Sequence, residues 1–574
     1  MASLHVELTD RLVAAFAAVA GDEVDPVLRR SQHADFQADA SLALAKKLGK
    51  APRDIAAEVV AKAQLDDICT DVEISGPGFI NMSLDAGFLN RCVAAAVGDS
   101  RLGVAAAGKP QHVVVDYSAP NVAKEMHVGH LRSTFIGDAA VRVLGWMGHR
   151  ISRENHIGDW GTPFGMLIEH LLDLGETEGA KELSVGDLDA FYKAARVKFD
   201  ADEAFAERAR ERVVLLQGGD AETLRLWQIL INESQAYFMD VYGRLDVKLT
   251  SDDFVGESFY NDQLESVCNE LAALGLLVES DGAEVVFPDG FTNRDGNPLP
   301  LIVRNRLGGY GYASTDLATI RHRLRDLDAA RVVYVVGLPQ KLHFQMIFQA
   351  AVEAGWLTDD ARVEHIGFGS ILGTDGKLLR SRSGDSIKLV ELIDEAVRRA
   401  SEAVAEKNPE LDAETAAAVA QMVGIGAVKY ADLSSERTKD YTFDFDRMLA
   451  FEGNTAPYLQ YAHARICSIF RKGEVGVPAD PSVVRVEADA ERALVLELLA
   501  FPEVVADVAD GLDFHRLAHY LFGVASVFTT FYEHCPVLKT DDATRDSRLV
   551  LCELTRRTLA QGLDLLGIGA PEQM

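Results

Sequence analysis

The run HVVVDYS at 112–118 passes through a proline-containing loop into LRSTFIGDAAVRVLGWMG, a helical pattern. A β-branched strand feeding a helix in this way predicts a βαβ unit and a parallel sheet. PLIV (300–303) and RVVYVVG (331–337) are nearly continuous apolar runs, the pattern of strands buried on both faces of such a sheet. The expectation is a doubly wound α/β domain over 111–395. A long acidic, helical segment at about 170–290 interrupts it as an insertion between two halves of the sheet.

The flanks differ. Residues 1–110 open with a helical face (Leu12, Phe16, Val19) and close on SGPGFINMSL, a turn followed by a strand-like run, which predicts a small α+β domain. From 396 to 574 strand signals vanish, and stretches such as APYLQYAHARICSIFRK predict an all-helical domain. No apolar run approaches the length of a membrane span. Glu7 and Asp10 stand where an export signal would be basic and apolar, so a cytoplasmic protein with no membrane association is expected. Six scattered cysteines without a CxxC imply a reduced compartment and no structural zinc. The net charge of −31 argues against a nucleic-acid binder taken as a whole. One region is spared: Lys429–Lys472 carries seven basic and six acidic residues, which permits an anionic partner there.

The chemistry concentrates after the first strand of the α/β domain. In DYSAPNVAKEMHVGHLRS, His127-Val128-Gly129-His130 opens the helix beyond the strand's carboxyl end, where open α/β sheets bind ligands. A helix start offers free N–H groups and a positive dipole end to phosphate. The two histidines share one face of the first turn, and Gly129 leaves room for a base or ribose. The pattern fits phosphate handling by an adenylating enzyme; two ordinary polar residues at a helix start are the alternative. Further on, GTDGKLLRSRSGDSIKL (373–389) sets Lys377, Arg380, Arg382 and Lys388 against two aspartates. It is either a basic loop able to neutralise pyrophosphate or a solvated turn.

SAPNVAKEMHVGHLRST resembles the HIGH signature region of class I aminoacyl-tRNA synthetases, specifically the arginyl enzymes. GESFYND (256–262), ADLSSERTKDYTFDFDRMLAFEGNTAPYLQYAHARI (431–466), FYEHCPVL (531–538) and the closing LLGIGAPEQM are similar to that family's other blocks. Two departures stand out. Arg380-Ser381-Arg382-Ser383 occupies the place of the second signature, KMSKS, and the end has PEQM where PERM is usual. The resemblance implies an N-terminal domain touching the outer corner of tRNA, a Rossmann-type catalytic domain with an insertion, and a helical anticodon-binding domain. It implies ligation of arginine to tRNA(Arg) through an adenylate, with ATP and Mg²⁺, by a monomer.

The resemblance also assigns roles. Lys124, His127, His130 and Arg382 would act on the phosphates, with Gly129, Lys377 and Arg380 also binding ATP. Asp116, Asn121, Tyr312, Asp316 and Gln340 would hold arginine, because a guanidinium fork needs paired planar acceptors. By pattern alone Asp316 is equally a helix N-cap and Lys124 a solvent-facing lysine. Tyr458, Tyr461, Arg465 and Tyr532 would meet the anticodon, and Phe79 with Asn81 the outer corner. By spacing alone the pair Tyr458 and Tyr461 is helix packing. A tRNA-binding paralogue without catalysis and a class I synthetase for another amino acid are the remaining readings.

Overall fold

Val113, Val114 and Val115 are fully buried in β5 (His112–Asp116), so the strand has apolar contacts on both faces and no edge to water. The computed structural model describes residues 4–175, 188–306, 308–380 and 387–574.

Residues before β5 form α1 (Leu4–Ala20), strands β1 (Leu28–Arg30) and β2 (Phe36–Ala38), helices α2 (Ser41–Leu48) and α3 (Pro52–Val60), strands β3 (Cys69–Ser75) and β4 (Phe79–Leu84), and α4 (Ala86–Gly98). The four strands make an antiparallel sheet in the order β1-β2-β4-β3. The expected strand-like run after Gly-Pro-Gly is β4.

The central sheet is parallel, in the order β11-β10-β5-β6, with β6 at Arg150–Glu154, β10 at Arg331–Tyr334 and β11 at Arg362–His365. Helix α5 (Leu131–Trp146) follows β5 and is buried over nearly its whole length. Gly137 allows this, because a Cβ there would overlap the Tyr117 side chain. After β6 come α6 (Pro163–Leu174), α7 (Leu188–Ala201), α8 (Glu203–Gln217) and α9 (Ala221–Arg244). Asp202 and Asp220 start the last two by accepting from first-turn N–H groups.

One strand assignment fails. Leu301–Arg304, expected within the parallel sheet, is β9 of a separate antiparallel sheet with β7 (Leu277–Ser280) and β8 (Ala283–Val286) that follows α10 (Asn261–Ala273). The short run hid an alternation: Leu301 and Val303 are buried while Ile302 is exposed. A four-residue apolar run cannot distinguish one buried face from two.

Helices α11 (Tyr312–Arg321) and α12 (Lys341–Glu353) flank β10, and β12 (Ile371–Leu372) follows β11. Then come α13 (Leu389–Lys407), α14 (Ala413–Leu433), β13 (Tyr441–Thr442), the single turn α15 (Phe445–Met448), α16 (Ala456–Gly473), α17 (Asp489–Leu498), α18 (Phe501–Gly511), α19 (Phe514–His534) and α20 (Asp542–Leu565). The one strand in this helical half, β13, pairs in parallel with β12.

Two ion clusters tie α5 to that half. Arg132 meets Asp432 of α14 at 3.2 Å, both buried, and Arg142 reaches Asp138, Asp246 and Asp564 at 2.7, 3.2 and 3.1 Å. Beyond α20 the chain has no regular secondary structure, and side chains of other elements donate to its carbonyls. Lys429 donates to Gly567 (2.6 Å), Gln460 to Gly569 (2.8 Å), His463 to Pro571 (2.9 Å), Arg471 to Glu572 (2.9 Å) and Asn408 to Met574 (3.3 Å). Residues 567–574 thereby join α13, α14 and α16.

Candidate active site

Tyr334, Asp116 and Glu154 are register partners at the carboxyl ends of β10, β5 and β6. Between this edge and α5 the chain makes a contorted loop in which Ser118, Ala119 and Ala123 have positive φ. Such backbone is costly for residues with side chains and persists only where its surroundings hold it. Here each N–H is held: Ser118 donates to Ser133 Oγ, Ala119 to Asn155 Oδ1 and Ala123 to Ser234 Oγ, all at 2.9 Å.

The loop delivers the histidine pair. Gly129 N–H donates to His127 Nδ1 at 3.0 Å and His127 N–H donates to His130 Nδ1 at 3.1 Å. His127 Nδ1 therefore accepts, which leaves the proton of its neutral ring on Nε2, whereas His130 Nδ1 faces both the His127 N–H and, at 3.3 Å, the His127 carbonyl oxygen. Burial lowers both pKa values, that of His130 to about 3 with His127 adding to the effect. The rings lie 4.2 Å apart. The pair thus presents two uncharged imidazoles at a helix start. A Cβ at position 129 would collide with the His127 ring.

Lys124 is not solvent-facing: its ammonium lies 4.4 Å from the centre of the Tyr192 ring on α7. The end of the basic stretch returns alongside the signature, with Val128 N–H donating to Ile387 (3.1 Å), Leu389 N–H to Met126 (2.9 Å), and Lys388 paired with Glu125 at 3.0 Å. Lys377 and Arg380, both exposed, line a cavity of about 900 Å³ walled by α13 and by Phe443–Asp446. Among the described residues no hydrogen bond or ion pair joins them to His127 or His130. Arg382 lies outside the described residues.

The arginine candidates fall into two groups. Asp116 does not present a free carboxylate, contrary to the expected two-sided grip. Its Oδ2 accepts from Arg323 Nη2 at 2.8 Å, and Arg323 Nε donates to Glu154 Oε2 at 2.7 Å. Burial opposes the Arg323 charge, and Glu154 and Asp116 outweigh it. On α11, Tyr312 is 79% exposed, and Asp316 Oδ2 lies 2.6 Å from His343 Nε2. His343 is three residues beyond Gln340, which is exposed on the turn after β10. Asn121 bridges to Gly158, where a Cβ would overlap its carbonyl oxygen.

Sequence reasoning missed five members, Glu257, Asp159, His343, Arg323 and Glu154, of which Asp159 had no local signal. Glu257 is pushed up to about 7 by burial, then by Asp159 and Asp316. Asp159 accepts from Ser258 N–H and Oγ at 2.8 and 2.7 Å, so GESFYND and HIGDWG form one wall. GESFYND supplied a signal for Glu257, and VVGLPQKLHF contained His343; Arg323 and Glu154 had none. The result is an acidic cluster at and beyond the carboxyl edge of the sheet.

The tRNA candidates also divide. Arg465 stacks on Tyr532 at 4.2 Å, and Tyr461 is 42% exposed. Tyr458 instead packs on Phe522 at 5.6 Å with its hydroxyl 3.4 Å from Thr529, so for this residue packing is what the structure has. Asn81 is buried, its amide donating to Ser75 and its carbonyl accepting from Ser31. In the free chain the Asn81 side chain thus serves the sheet. Phe79 is half-buried beside it, with its ring against Gly76.

A parallel sheet with this signature at its carboxyl edge, an inserted helical segment and a helical half behind it define a class I aminoacyl-tRNA synthetase. Residues 92–445 match the family model of the class I tRNA synthetase (R) catalytic domain, 459–574 the DALR anticodon binding domain, and 4–84 the arginyl tRNA synthetase N-terminal domain. The chain is 55% identical to an arginine–tRNA ligase of Thermobifida fusca over all of both chains, and 51% identical to one of Frankia casuarinae over 96% of this chain and 95% of that one. Arginyl-tRNA synthetases of Plasmodium falciparum and Thermus thermophilus, each covered completely, superpose with TM-scores of 0.87 and 0.84 at 28% and 27% identity. The chain belongs to the arginyl-tRNA synthetase family.

Proposed function

We infer that this enzyme is an arginine–tRNA ligase: it activates L-arginine with ATP and transfers it to the 3′ end of tRNA(Arg). The observation that carries the substrate is an acidic cluster in which Asp116 is the register partner of Glu154 at the carboxyl edge of the sheet and Asp159 and Asp316 lie near Glu257. A guanidinium complements such a cluster, and an apolar side chain would leave its carboxylates uncompensated.

In the first step an arginine carboxylate oxygen attacks the α-phosphorus of ATP and the bond to pyrophosphate breaks. The uncharged imidazoles of His127 and His130 stabilise charge on the phosphate oxygens, Lys124 adds a cation, and Gly129 admits the nucleotide. Lys377, Arg380 and Arg382 serve the pyrophosphate side. Mg²⁺ arrives as MgATP, part of the substrate. In the second step a terminal ribose hydroxyl attacks the arginyl carbonyl and AMP leaves. Asp316, Glu257 and Tyr312 take the guanidinium end, and Asp116, Asn121 and Gln340 the remaining polar groups.

We assign tRNA contacts to Tyr461, Arg465 and Tyr532 at the anticodon, where exposed rings and an arginine suit unstacked bases, and to Phe79 at the outer corner. The division 1–110, 111–395 and 396–574 then separates outer-corner, catalytic and anticodon work. The enzyme acts as a monomer in the cytoplasm in this reading, and no described helix is long and apolar enough to cross a membrane. The deciding experiment offers total tRNA each of the twenty labelled amino acids with MgATP. Attachment of arginine alone is expected; attachment of another amino acid overturns the pocket assignment.

A further inference from the structure

We propose that Arg323 is a positioning residue for arginine binding, fixing the spacing between Asp116 on the sheet and Asp316 on α11. The inference rests on the reading that these two carboxylates serve the substrate. Helix α11 runs directly into a π-helical turn, His322–Asp326, and such turns occur preferentially at functional sites. From that turn the Arg323 side chain, with no exposure at all, reaches back to the carboxyl ends of three neighbouring strands. It forks onto Asp116 of β5 and Glu154 of β6, and its guanidinium lies 4.7 Å from the centre of the Tyr334 ring of β10. Asp316 and Arg323 therefore belong to one continuous helical segment, and the fork pins the end of that segment to the strand end bearing Asp116.

Stability is a poor explanation for the arrangement, because packed apolar residues usually serve a buried ion cluster's place as well or better. What the fork supplies is geometry. It also leaves the trio one negative charge in excess, two carboxylates against one guanidinium, which a cationic substrate complements.

The test compares Arg323→Met, Arg323→Lys and the double variant Arg323→Met/Glu154→Leu with the wild type, reading melting temperature and the KM values for arginine, ATP and tRNA in aminoacylation. The double variant keeps the excess of one negative charge and removes one of the two buried carboxylates that Arg323 paired, leaving Asp116 in place, so it recovers part of any stability the single variant loses. Lysine keeps the charge but cannot fork onto two carboxylates. The lysine and double variants are expected to raise KM for arginine at least about tenfold while KM for ATP and tRNA stay within about twofold. A double variant with recovered melting temperature and wild-type KM for arginine overturns the proposal, as does a rise shared equally by arginine and ATP. Should Arg323→Met fail to fold, the other two variants decide. Failure of the wild type itself to saturate with arginine would instead sink the pocket assignment, a separate outcome.

Discussion

Glu257 gives the pocket a pH dependence with a definite sign. Its carboxyl is held at about 7 by burial and by Asp159 and Asp316, and a cationic ligand prefers it ionised. Below that pH, binding must first expel a proton, so KM for arginine should fall as pH rises towards about 7 and level off above it. Glu257→Gln should flatten the profile and raise KM; a wild-type profile flat from pH 6 to 8 would contradict this role. Lys124 lies on the phosphate side. Lys124→Ala is expected to lower kcat by about 100-fold with KM for arginine nearly unchanged, and a kcat within twofold of wild type would remove it from the chemistry. Single residues were legible in the sequence where a local pattern carried them: His127, Gly129 and His130 sit as the strand-loop-helix order required. Arg323 was not legible, since nothing near it in the chain announces partners some 200 positions earlier, at Asp116 and Glu154.

At the scale of elements, α5 carries the signature and is fixed at both ends by charges from distant parts of the chain. Removing one partner of a buried pair leaves the other charge unpaired at a cost of about 3–5 kcal/mol. Asp432→Leu should therefore lower the melting temperature sharply, and Arg132→Met/Asp432→Leu should recover most of the loss. Equal destabilisation by the single and double variants would show that the pair contributes nothing beyond packing. Elements were legible where their periodicity was long. The buried strand β5, the capped helices α8 and α9, and the helical run from α16 all follow from pattern and cap residues. β9 was misassigned because four residues cannot report which sheet they join, and β13 was missed because two residues carry no period.

The whole molecule carries a net charge of −31 and must still receive a polyanion. Attraction then depends on local basic surface such as Arg465, against repulsion from the remainder. KM for tRNA should rise by tenfold or more between about 50 and about 200 mM salt, whereas KM for arginine, set within a partly enclosed pocket, should move less than about twofold. Parallel salt dependence of both constants would place the substrate carboxylates in bulk solvent rather than in that pocket.

The strip at residues 567–574 has a bearing on how the molecule is made. It joins the helix behind the signature to the helix that bears Tyr461 and Arg465, through donors on α13, α14 and α16. A nascent chain emerges amino end first and its early modules fold as they appear. The catalytic sheet and most of the helical half precede the strip in the chain and can therefore settle before it is made. The seam between them closes only afterwards, and a copy lacking residues 567–574 would hold every residue assigned to substrate without the fastening that keeps them in one frame.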